Sequence, residues 1–149
     1  MSKPIEKLVV ATELLDRALR MYYEGNSYFA ALHLAGGAEE VLGAYVERHG
    51  GESSFRNLQQ SAVTLSKLFN GDVESKPKEI AHVMNRAKNS TKHMNSGGDD
   101  DQVDFNARAE AHVLLDRAVS NYYTLMNFYK LPETELVRRF NLELVGRGA

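Results

Sequence analysis

The chain has 149 residues, the size of one domain, and at that length folding buries roughly 68–70% of the surface an unfolded chain exposes, so no covalent staple is needed. It contains no Cys, which excludes disulfides and thiolate metal sites. Lys and Arg number 18 against 20 Asp and Glu, a formal charge of −2, which excludes the broadly basic surface of a protein that coats nucleic acid.

The segment Met1 to Lys7 leads into a charged amphipathic stretch rather than a signal peptide, and Ser2 is not the glycine that myristoylation requires. No apolar run approaches the ~18 residues of a membrane span. A single soluble, cytoplasmic domain without a membrane partner is expected. Helical periodicity dominates throughout, and no alternating strand pattern stands out.

The periodicity predicts helix one from about Pro4 to Tyr23, with Leu8, Ala11, Leu15, Ala18 and Tyr22 on one stripe. Gly25 and Asn26 break it, and Asn26 or Ser27 is suited to cap helix two, which is predicted from Tyr28 to His49 before Gly50 and Gly51. Ser53 or Ser54 caps helix three, which carries Phe55, Leu58, Ala62, Leu65, Leu68 and Phe69 and ends at Asn70 and Gly71.

Lys76 and Pro77 open helix four, which is expected to reach His93 or Met94 before a loop from Asn95 to Asp101. Asp104 is the expected cap of helix five, which runs to about Phe128. After Leu131 and Pro132, a short amphipathic segment carries Leu136, Phe140 and Leu144. The fold class that follows is all-α, an antiparallel up-and-down bundle of about five helices. Its expected division is a bundle over residues 1–130 and a C-terminal extension over 131–149. Leu14 to Ala18 with Tyr22 and Tyr23 recurs as Leu114 to Ala118 with Tyr122 and Tyr123. Two long helices in similar slots account for this echo better than a tandem repeat does.

Helix four carries the chemistry. His82, Arg86, Asn89 and His93 follow the i, i+4, i+7, i+11 spacing and form one polar stripe if the helix stays regular. The alternative is an ordinary solvated face. Arg offers a planar fork to phosphate, and His exchanges protons near neutral pH. Together they suit metal-free cleavage of a phosphodiester, one His acting on the ribose 2′-hydroxyl while Arg steadies the phosphate. A second copy from another subunit would supply the proton for the leaving oxygen.

The helix Tyr28 to Gly43, the run Lys88-Asn89-Ser90-Thr91-Lys92-His93 with the acidic loop after it, and Leu114 to Ala118 resemble HEPN-type proteins across most of the chain. That resemblance implies a helical bundle marked by Arg, four to six residues, then His, often with Asn directly after the Arg. It implies a homodimer in which two motifs meet. It also implies either a metal-independent endoribonuclease of toxin or defence type, or a non-catalytic module paired with an antitoxin, a nucleotidyltransferase or another partner. His93 matches the family His, and Asn89 the family Asn. Lys88 stands where the Arg is usual, and Arg86 satisfies the looser spacing. Seven helical steps from Arg86 to His93 rotate about 700°, nearly two turns, whereas five steps leave Lys88 about 140° from His93. The expected catalytic residues are therefore His93, Arg86 and Asn89, with Lys88, Glu39 and His82 in support. The two-fold axis is expected near helix four.

Glu39 shares a stripe with Phe29, Leu32, Gly36, Gly43 and Val46, so an inward carboxylate is expected, paired with Arg86 or His93. Gly36, Gly37 and the neighbouring Ala residues are expected to let helices approach closely. Glu79-Ile80-Ala81-His82 supplies half of a di-iron pattern with no second half, and Gly50-Gly51 and Gly97-Gly98 lack the Lys-Ser/Thr of a P-loop. No metal and no cofactor is expected.

Overall fold

A computed structural model describes residues 3–71, 75–94 and 101–147. Seven helices make up the described chain: α1 (Lys7–Glu24), α2 (Tyr28–Arg48), α3 (Ser54–Phe69), α4 (Pro77–Met84), α5 (Arg86–Lys92), α6 (Ala107–Leu125) and α7 (Glu135–Arg147). No strand occurs among the described residues. Of the expected loop from Asn95 to Asp101, residues 95–100 lie outside them.

The count exceeds five for two reasons. The predicted helix four is divided at Asn85 into α4 and α5, and the C-terminal segment is a full 13-residue helix. The other boundaries follow local chemistry. Gly25 adopts φ 80°, a left-handed position that costs a residue without Cβ nothing, and its N–H closes α1 onto the Met21 carbonyl at 3.1 Å. The Ser53 hydroxyl caps α3 by accepting from Arg56 N at 3.2 Å. Pro77 sits in the first turn of α4, where its missing N–H costs no bond. Asn106, not Asp104, caps α6, its Oδ1 accepting from Ala109 N at 2.9 Å.

α2 packs against α1 on one side and α6 on the other, which explains its wide buried face of Ala31, Leu32, Ala35, Ala38, Leu42 and Val46. Small side chains let the three axes approach. Leu15 and Ala18 of α1, and Leu115 and Ala118 of α6, are buried against it, so the two echoed segments do occupy comparable slots. Their arginines differ. Arg17 is exposed, whereas Arg117 is 1% exposed, because α6 is also covered by α3.

α7 returns to α1 and α6 and seals the end of this core with Val137 and Phe140. The Phe140 ring stands edge-on to Tyr22 at 6.0 Å between centroids and lies 5.1 Å from His112. The Tyr23 hydroxyl donates to Glu143 at 3.0 Å while Arg139 lies over the Tyr23 ring at 3.7 Å. Burial, then that carboxylate, hold the Tyr23 phenol well above its ordinary value. No described helix is long and apolar enough to cross a membrane.

Candidate functional site

The most unusual chemistry lies inside the fold. Glu39 of α2 is only 3% exposed, and Lys88 of α5 is buried beside it. Lysine and glutamate are seldom enclosed unless paired. Lys88 Nζ donates to Glu40 Oε1 at 2.5 Å and stands 3.6 Å from Glu39 Oε2. From the other side, Arg117 Nε of α6 stands 3.9 Å from Glu39 Oε1. Two buried cations thus flank one buried carboxylate, with Glu40 at the solvent edge.

The same elements supply the surrounding scaffold. Arg117 Nη2 reaches the Met84 carbonyl at the end of α4 at 3.4 Å, and its guanidinium lies 5.4 Å from the centroid of the Phe55 ring. Asn121 Oδ1 accepts from Ser54 N at 2.8 Å, fixing the start of α3 against α6. Lys88 enters through a gap that Gly36 leaves. A Cβ built on Gly36 would come within 2.7 Å of Lys88 Cδ and 2.9 Å of Cγ, so any larger residue would displace the lysine stem. The expected close helix approach at Gly36 is thus an approach of one side chain.

Burial pushes the Glu39 carboxyl above its ordinary value despite the opposing pull of Arg117 and Lys88. Burial also lowers the Arg117 guanidinium, against the pull of Glu39. For Glu40, burial is outweighed by the Lys88 hydrogen bond and charge, and its carboxyl lies below the ordinary range. A shallow cleft of about 310 Å³ opens over this cluster, bounded by Glu39, Glu40, Glu47, Arg56, Asn85 and Lys88.

The polar stripe of His82, Arg86, Asn89 and His93 requires a regular helix, and the structure does not keep one. Asn85, at φ −101° and ψ 5°, interrupts it, and α5 ends at Lys92, leaving His93 extended at φ −122° and ψ 144°. His82 therefore lies on a different helix from Arg86, while Arg86 and His93 stand at the two ends of α5, where the His93 N–H still bonds the Asn89 carbonyl at 3.0 Å. His82, Arg86 and His93 are exposed, and Asn89 is half-buried. His93 borders a second, open groove of about 510 Å³ with Phe29, Thr91, Lys92, Met94 and Val103. Arg86 borders neither groove.

The expected partners of Glu39 are corrected as well. Lys88 and Arg117 hold it, and neither Arg86 nor His93 does, because both point away from the core. Sequence reasoning missed Arg117, whose only local signal is an echo shared with the exposed Arg17. Among the described residues, no group of three His, Asp or Glu side chains is placed to hold a metal ion.

No protein-family model matches this chain, and no curated protein or solved structure matches it.

Proposed function

We propose that this chain is a HEPN-type helical bundle that works as a non-catalytic binding or assembly module, paired with a nucleotidyltransferase or another partner protein. The observation that carries this reading is the use of Lys88. The cation that stands at the motif's usual Arg position, directly before Asn89, is enclosed between Glu39 and Glu40 and supports α2 and α5 instead of facing a phosphate. Arg86 and His93 sit at opposite ends of α5 and border no common groove.

A second reading, a metal-independent endoribonuclease, has one observation in its favour. Arg86 and His93 are exposed and have no ion-pair partner among the described residues, so they are available to an RNA backbone. A cleavage assay separates the two. Purified wild type is expected to leave structured and single-stranded RNA intact, with or without excess chelator. Cleavage that persists in chelator and falls by ~10²–10⁴-fold in His93→Ala would establish the second reading, that being the usual worth of a positioned acid–base group.

A further inference from the structure

α3 and α4 differ from the other five described helices in that neither contributes a fully buried residue. Each leans chiefly on the other. Gln59 Nε2 donates to the Pro77 carbonyl at 2.7 Å, and Ser75 N donates to Ser66 Oγ at 3.0 Å, so the pair is tied together internally. Both of its ends are breaks in the helical backbone. Before α3 stands Gly50 at φ 83°, with open space around it. After α4 stands Asn85, at φ −101° and ψ 5°, and beyond it α5 is anchored by the buried Ala87 and Lys88. Hinges are element-terminal residues of this kind, which absorb a change of φ and ψ.

The polar ties from this pair to the rest of the molecule gather near those ends. Asn121 Oδ1 accepts from Ser54 N at 2.8 Å. Glu47 accepts from Ser53 Oγ and pairs with Arg56, both at 3.1 Å. Arg117 Nη2 meets the Met84 carbonyl at 3.4 Å. What the pair covers is costly to enclose. Arg117, against Phe55 and Met84, is 1% exposed, and its Nε and Nη1 have no hydrogen-bond partner among the described residues. Glu39 Oε2 has none either. Enclosed charges with incomplete partners lose hydration that the fold does not return, and burial disfavours the charged form of both groups. Water admitted beneath α3 and α4 restores that hydration, so lifting the pair offsets part of its own cost.

We propose that α3 and α4 move as one flap, hinged at Gly50–Gly51 and at Asn85, whose opening uncovers Arg117 and Glu39 while α1, α2, α6 and α7 stay packed. Access to the charged cluster is thereby gated. This holds whether the chain is a binding module or a ribonuclease, since it concerns the cover of the site and not what enters it.

Amide hydrogen exchange of the full chain, followed by NMR under native conditions, tests it. In wild type the hydrogen-bonded amides of α3 and α4 should share one opening equilibrium, about 10²-fold more open than that of α2 and α6. Asn121→Ala removes a tie to the first residue of α3 and touches nothing in α4. It should nonetheless raise the opening of α3 and α4 by the same factor, about 10-fold, the usual worth of one hydrogen bond. Glu47→Ala, at the surface, should repeat the pattern with a smaller factor, and it carries the comparison if Asn121→Ala does not fold. Phenylglyoxal, read by peptide mass, should modify Arg117 far more slowly than the exposed Arg17, and each variant should quicken Arg117 by the factor seen for α3 and α4. Exchange of α3 and α4 only with the unfolding of α2, an α4 that does not follow α3 in the variants, or an unchanged Arg117 rate overturns the proposal.

Discussion

Lys88→Ala is expected to lower the free energy of unfolding at neutral pH by about 3–5 kcal/mol, the range for removing one partner of a buried ion pair. The substitution leaves Glu39 enclosed with only Arg117, at 3.9 Å, and empties the channel beside Gly36. At roughly 2–4 °C per kcal/mol for a domain of this size, the melting temperature should fall visibly. The loss should also depend on pH. Burial already raises the Glu39 carboxyl, and losing the Lys88 charge raises it further. A group raised in the folded state contributes stability that is fully present below its unfolded value, about 4.3, and lost as pH rises through the folded value. The uncompensated charge is therefore a neutral-pH penalty, which fades as Glu39 takes up its proton. Urea unfolding should show a smaller gap between wild type and Lys88→Ala at pH 5 than at pH 7. In a Glu39→Gln background, Lys88→Ala should cost less, giving a coupling energy of about 0.5–3 kcal/mol. A loss below about 1 kcal/mol, equal at both pH values, would mean that this cluster does not hold the fold.

Phe140→Ala is expected to cost about 3–5 kcal/mol, the range for truncating a fully buried aromatic. Its ring joins α7 to Tyr22 of α1 and His112 of α6, so the cavity would open where three helices meet. Leu142→Ala, on the exposed side of the same helix, should change stability by about 0.5 kcal/mol or less. Chemical denaturation of both variants measures the contrast. Similar small losses would mean that residues 131–149 are a dispensable extension; a large loss for Phe140 alone makes α7 part of the core.

Three boundaries set by backbone chemistry were legible in the sequence, whereas the cap of α6 fell on Asn106 instead of Asp104. Gly25, Ser53 and Pro77 act through their own φ, hydroxyl or missing N–H, and they end or open helices where expected. The break at Asn85 was hidden, because good helix formers stand on both sides of it, and the Met84 carbonyl meets Arg117 from a helix 33 residues away. Non-local packing hid the site in the same way. Leu14 to Ala18 and Leu114 to Ala118 are identical, yet one arginine faces water and the other a buried carboxylate. Nothing within either segment distinguishes them; what covers α6 does. Lys88 reads in sequence as a supporting cation about 140° from His93, and its burial was hidden because neither the Gly36 gap nor the Glu39 carboxylate is adjacent to it in sequence.

The sparse anchoring of α3 gives the molecule two scales of stability. α1, α2 and α6 share a continuous apolar interior, so their amides exchange with solvent only when most of the chain opens. α3, with no residue of its own fully enclosed, can detach while that interior stays intact, at a fraction of the global cost.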